Sequence, residues 1–453
     1  MTNSARTPYL PIAIAAFMIA GRAAAGQSTL DELVASGLKQ NLGLRQERLA
    51  FDRSEAVVDE ARGRYLPTAT LNARYTRVAG NVLNIGSLIN PAYSALNQLT
   101  GSNAFPANVD VRLPLTQETS VRIVQPIFQP AVTSAHRIAS RMRDAQGAQR
   151  DAAARDMAMK LRIAYLQLAA ARKALELWDA TQVVVAEQVR VTEALAAQGK
   201  VAADAVFRAC AERSDVEQRR AAAAEDAASA RRALNFLLDR PLDDAVPVLG
   251  DGALGIDELP TLAVAVSAAR AGREELRAIE WSRQAAQGAR QLALGSFLPN
   301  VSVAVDYGVQ GNTYDFRGSQ TFTNASIVAS WNLFNGTQDA ARLTQSSLDE
   351  RRLAVQQEQA SQGIALEVRQ AHGAAELARR AITTAGDRVA AARRSWELVE
   401  KRYAQGMAPM LELLDARNAL TSASLNRILT ETDYRVRRVQ LDRAAALYPR
   451  TLP

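Results

Sequence analysis

Two stretches of this chain, roughly 131–197 and 338–404, carry apolar or small residues at steps that alternate between four and three. In the second stretch these are Ile364, Val368, Ala371, Ala375, Ala378, Ile382, Ala385, Val389, Ala392, Trp396, Val399 and Tyr403. Such a step is the coiled-coil period and predicts a helix of about 67 residues, ~100 Å long at ~1.5 Å per residue. A helix of that length has to be supported along its whole side by neighbours.

An offset of 207 residues carries the pattern onto the first half as Met157, Leu161, Ala164, Leu168, Ala171, Leu175, Trp178, Gln182, Val185, Val189, Thr192 and Ala196, with only Gln182 and Thr192 departing from it. The same offset pairs Gly199 with Gly406 and Ala209 with Ala416. A second helical run follows each glycine, at about 202–238 and 408–447, which predicts an antiparallel hairpin in each half. Upstream, Thr29–Pro67 aligns without gaps on Thr261–Pro299, matching Leu30/Leu262, Leu44/Leu276, Arg45/Arg277, Gly63/Gly295, Leu66/Leu298 and Pro67/Pro299. Each copy reads as a helix ending at Gly, then Leu-Pro, then a strand, because proline stops a helix and tolerates a strand start. The chain is thus two copies of one unit, over 26–240 and 257–447, with a linker at 241–256 and a tail at 448–453.

Four segments alternate apolar and polar residues, the strand period. Ala69, Leu71, Ala73 and Tyr75 alternate with Thr68, Thr70, Asn72 and Arg74. A shorter segment runs from Thr119 to Phe128. Val301, Val303, Val305, Tyr307 and Val309 form one face of the third, and Ala325, Ile327, Ala329, Trp331 and Leu333 one face of the fourth. A sheet packed on a soluble core shows the same alternation, but lengths of about 9–11 residues suit tilted transmembrane strands. Leu71, Tyr75, Val301, Val303, Val305, Ile327 and Trp331 are the candidate lipid-facing positions. Four strands cannot close a barrel, and an open edge in lipid leaves backbone groups unpaired, so several chains must contribute. Two copies give eight strands, whose interior side chains fill; three give twelve, with room for a lumen. The polar stretch Gly80–Leu115, with Asn90-Pro91 and Gly101-Ser102-Asn103, reads as a long outer loop, and Tyr307–Thr321 as its shorter counterpart.

Composition narrows the function classes. The net charge of +7, from 54 basic and 47 acidic residues, is spread along the chain and reads as solvated helix faces, not a nucleic-acid surface. The single cysteine, Cys210, reads as a small buried apolar residue. His136 and His372 have no partners at metal-ligand spacing, so no metal is expected. No nucleophile–base pair or phosphate loop stands out; no catalytic residue and no cofactor are expected. Arg6, the apolar run Leu10–Ala20 and Ala23-Ala24-Ala25 predict an export signal over residues 1–25, with no cysteine after it to take a lipid. Beyond it, no apolar stretch of about 18 residues remains.

The ordered set of pieces resembles the TolC family of outer-membrane efflux proteins, over about Thr29 to Leu447. The carriers are the two-fold repeat, the Leu66-Pro67 and Leu298-Pro299 junctions, Gln125-Pro126-Ile127-Phe128 and Trp331-Asn332-Leu333-Phe334-Asn335-Gly336. The most specific is Tyr403-Ala404-Gln405-Gly406 followed by Leu411-Glu412-Leu413-Leu414-Asp415-Ala416. The resemblance implies a mixed helix-and-strand fold: a homotrimer closing a 12-stranded β-barrel in the outer membrane of a Gram-negative bacterium, on an α-helical periplasmic tunnel. It implies a passive exit duct for tripartite efflux or type I secretion, partnered by a periplasmic adaptor, an inner-membrane pump and outer-membrane lipid. Gly199 and Gly406 match the closed-end turns where partners dock. Glu412 and Asp415 match acids facing the constricted pore, where three copies would form carboxylate rings that repel one another and concentrate cations; the residue-level alternative is a helix N-terminal acid stabilised by the dipole. Tyr403 matches a position whose hydroxyl latches neighbouring helices, and it is also a heptad core position. The family's basic latch position falls on Ala408, so that part of a latch is missing. Asp204 stands one position earlier than the first-half acid of the family pattern. A periplasmic coiled-coil adaptor or tether, or a long-helix protein that oligomerises without a pore, would share the helices but not the lipid-facing strands.

Overall fold

The computed structural model describes residues 30–448, apart from 78, 80–82, 114, 248–257 and 312–319. The export signal, part of the linker and most of the C-terminal tail lie outside the described residues. Helices α1 (30–40) and α2 (Leu42–Gly63) lead to β1 (Thr68–Tyr75). Then come β2 (Leu83–Asn84), α3 (Ile85–Thr100), β3 (Arg112–Leu113) and β4 (Gln117–Phe128). The 68-residue α4 (Pro130–Ala197) and α5 (Ala203–Leu237) complete the first copy. The second runs α6 (Leu262–Gly272), α7 (Glu274–Gly295), β5 (Asn300–Gly311), β6 (Thr321–Ser330), the 67-residue α8 (Gln338–Ala404) and α9 (Met410–Ala444). Both long helices start and stop where the heptads place them, and none of the 24 heptad positions is exposed.

The chain divides into two compact units, one built from 1–51, 146–279 and 356–453, the other from 52–145 and 280–355. In the first, the repeat is visible in the packing. Leu161, Leu168, Leu234 and Leu238 sit in one core cluster, and Val368, Ala375, Leu441 and Ala445, each 207 residues on, sit in another. The breaks between α1 and α2 and between α6 and α7 are also equivalent. Buried Asn41 donates from Nδ2 to the Leu237 carbonyl at 2.9 Å, and buried Arg273 donates from its guanidinium to the Ala444 carbonyl at 3.2 Å. Each polar side chain thereby satisfies a carbonyl that the C-terminus of α5 or α9 leaves without an intrahelical donor.

The second unit holds a four-stranded antiparallel sheet in the order β1-β4-β5-β6, so the two copies join at β4–β5. Its register aligns Ala69, Ile123, Val305 and Ala325 in one row, and Leu71, Val121, Tyr307 and Thr323 in the next. Leu71, Tyr75, Val301, Val303, Val305 and Ile327 therefore share a face, on which Leu71 is 71% and Ile327 77% exposed. The opposite face carries the Arg122–Asp306 pair, bonded at 2.6 and 3.2 Å, and the Arg74–Glu118 pair. The ladder between β4 and β5 slips between Pro126 and Phe128; proline has no N–H to give it.

Three expectations need correction. Trp331 and Leu333 lie beyond β6, because pairing with β5 ends at Ser330 opposite Asn300; the Trp331 indole instead donates to the Phe297 carbonyl at 3.0 Å. The stretch read as a long outer loop contains α3. Of its shorter counterpart, residues through Gly311 are strand and 312–319 lie outside the described residues.

A buried ionic network spans four helices of the first unit. Arg155 of α4 grips Glu274 of α7 through two bonds of 2.9 and 2.6 Å, with side chains 8% and 1% exposed. Arg273 pairs with Glu275 and Glu367, and Arg443 with Asp156, Glu275 and Glu367. Burial pushes the Glu275 carboxyl up, but the hydrogen bonds from Arg273 and the charge of Arg443 outweigh it and hold the group below its ordinary value of 4.5. Stability from this pairing is therefore present above 4.5 and is lost as pH falls through the lower folded value. Thermal unfolding of Glu275→Gln should show a deficit against the parent at neutral pH that closes as pH steps below 4.5. Arg155→Met should cost about 3–5 kcal/mol by stripping a buried carboxylate of its bidentate partner, while Arg155→Met with Glu274→Met should recover most of it.

Candidate functional site

The two hairpins of the first unit end in matched turns. Gly199 and Gly406 hold φ of 66° and 74°, the left-handed conformation glycine adopts without strain. Lys200 N–H returns to the Leu195 carbonyl at 2.9 Å, and Met407 N–H to the Arg402 carbonyl at 2.8 Å, which closes each helix end. Between the hairpins lies a groove of about 1180 Å³, lined by Val184, Gln188 and Thr192 of α4 and by Tyr403, Pro409 and Met410 near the second turn.

The acids expected at a constriction differ in their surroundings. Asp415 is exposed and has no ion pair among the described residues. Glu412, three residues away on the same side of α9, is half-buried and bonded to Arg402 at 2.8 Å. Asp204, in the first turn of α5, pairs with Arg208 at 3.3 Å. Tyr403 is half-buried, and its hydroxyl donates to the Met410 sulfur at 3.6 Å. That thioether also accepts from Thr192 at 3.9 Å and Gln188 at 4.0 Å, so side chains of both halves converge on it. Cys210, expected to be buried, is only half-buried; His372 meets the Pro260 carbonyl at 3.0 Å, and His136 stands edge-on to Tyr65.

Sequence reading missed Arg417. It lies two residues after Asp415 on the inward side of α9 and is 5% exposed. Its guanidinium donates to Glu212 of α5 and, at 3.1 Å, to Gln188 of α4. Burial pulls its pKa below the ordinary value, and Glu212 opposes that. This one residue of the second half therefore ties down both helices of the first half beside the turns. The only sequence signal is an arginine at the position equivalent to Cys210, a charge where the repeat has none.

This fold, with long paired hairpins in one unit and a short antiparallel sheet with an apolar exposed face in the other, is that of outer-membrane channel protomers. The open-state Neisseria gonorrhoeae MtrE outer membrane channel superposes with TM-score 0.73 at 21% identity, over 92% of this chain and 88% of that one. The Vibrio cholerae outer membrane protein VceC gives 0.72 at 18%, over 92% and 96%. The Campylobacter jejuni CmeC outer membrane channel gives 0.74 at 15%, over 92% and 85%. No curated relative matches the sequence. Residues 265–447 match the family described as outer membrane efflux protein, and the Tyr403–Ala416 motif falls inside that match. Residues 265–447 are thus similar to the outer membrane efflux protein family, and the described fold is that of the channel protomers named above.

A double-mutant cycle on Arg417→Met and Glu212→Met should return a coupling of about 0.5–3 kcal/mol in thermal unfolding, as for a buried pair in one network; additive losses would show that the pair does not couple the hairpins.

Proposed function

We propose that this chain is one subunit of an outer-membrane exit duct that conducts solutes passively from an inner-membrane pump, through a periplasmic adaptor, to the outside. One observation carries the reading: a four-stranded sheet, apolar and exposed on one face and polar on the other, with β1 and β6 each unpaired along one edge among the described residues. Those edges are satisfied in lipid only by the edges of further copies. Three copies close twelve strands around a lumen lined by the face that carries Arg122, Asp306, Arg74 and Glu118. Leu71, Tyr75, Val301, Val303, Val305 and Ile327 then face lipid, and Trp331 sits just below the strand ends.

At the hairpin ends, Gly199 and Gly406 shape the turns at which an adaptor docks. Asp415 supplies the free carboxylate of the constriction, while Glu412 is partly neutralised by Arg402 of its own chain. Tyr403 holds the closed arrangement through Met410, and Asp204 marks the equivalent edge of the first hairpin.

Val303→Arg should cost roughly 2–4 kcal/mol at mid-membrane and abolish trimers in outer-membrane fractions; normal assembly of that variant would refute the barrel. In planar bilayers, Asp415→Asn should weaken cation selectivity more than Glu412→Gln. Equal or absent effects would remove the constriction assignment.

A further inference from the structure

Helix α3 is turned inside out for a water-exposed segment. None of its 16 residues is charged. The side packed against its own return segment is polar: Asn90 exchanges two 2.9 Å bonds with the Val109 backbone, and Asn97 bonds of 2.7 and 2.9 Å with that of Phe105. Gly86 lies so close that a Cβ there would stand 1.7 Å from the Val109 carbonyl oxygen. The opposite side is apolar and open. At ~100° per residue, Leu88, Ala92, Ala95, Leu96 and Leu99 fall in an arc of about 100°. All five are exposed, Leu88 at 70% and Leu99 at 83%.

The placement of α3 says what covers that arc. The helix belongs to the connection that leaves β1 at Tyr75 and re-enters at Gln117, so it stands at the end of the sheet away from Pro67 and Pro130. The apolar sheet face runs to this end and finishes on exposed Tyr75. A segment seated in hydrocarbon must satisfy its own backbone and carry no charge. The Asn84 side chain caps the N-terminus of α3 by accepting from Gly86 N–H, and Gly101, at φ 67°, closes the C-terminus onto the Asn97 carbonyl. The absence of charge suits acyl chains.

We propose that α3 is a lipid-seated anchor: it lies along the outer leaflet with Leu88, Leu96 and Leu99 among the acyl chains and fixes the height of the barrel rim. This inference rests on the sheet being part of a transmembrane barrel, and the test separates the two. In a Cys210→Ser background, Leu99→Cys and, separately, Leu88→Cys and Ile327→Cys would carry a bimane label. The full-length protein would be placed in phosphatidylcholine vesicles with bromine-labelled acyl chains. Loss of fluorescence at Leu99 and Leu88 as deep as that at Ile327 is the expected result. Quenching of the α3 labels by aqueous iodide instead would put the helix in water. Protection from both quenchers would put it against protein, such as a second copy. Either outcome overturns the anchor, whereas an unquenched Ile327 label would overturn the barrel itself.

Discussion

Unpaired backbone sets the terms for this molecule. Among the described residues, four antiparallel strands leave the outer edges of β1 and β6 open, with an apolar face exposed beside them. In water such a sheet invites aggregation, and in lipid each unpaired group costs several kcal/mol. Both penalties vanish when copies of the chain join edge to edge. The strand count, the exposed Leu71, Tyr75, Val121, Ile123, Tyr307 and Ile327 and the polar opposite face then belong to one arrangement. The Arg122–Asp306 and Arg74–Glu118 pairs fit it too, since a charged face is tolerated where it borders water or finds partners across the ladder.

The helices solve a different problem. Most of the stability of a helix in a protein comes from packing, and here α4 packs against α1 and α5, and α8 against α6 and α9. The second half has the smaller Ala375 and Ala445 where the first half has Leu168 and Leu238, and all four are fully buried. At the helix breaks, Asn41 and Arg273 show that evolution of the two copies changed the side chain but kept the bond, since in both the need is a donor for an orphan carbonyl. Arg273 brings a charge with it, and the acids around it, Glu275 and Glu367, answer that charge.

At the turns, charge is divided by burial. Asp415 faces outward and unpaired among the described residues, while Arg417, two residues on, faces inward and binds both first-half helices. A helix separates such neighbours by about 200°, which allows one short segment to present a carboxylate to solvent and still lock the two hairpins together.

The sequence by itself determined the two-fold repeat, the extents of the long helices, the glycine turns and the alternating faces of the strands. Each rests on a local period or a local steric rule that a list of residues displays. The tertiary structure decided what depends on partners distant in the chain. It ended β6 at Ser330, leaving Trp331 outside, because β5 begins at Asn300. It made a helix of Ile85–Thr100 despite Asn90-Pro91, because Asn90 and Asn97 are held by backbone groups many residues away. It paired Glu412 with Arg402 and buried Arg417 against Glu212, contacts no spacing rule encodes. Periodicity fixes which side of an element is apolar; only packing fixes what that side meets.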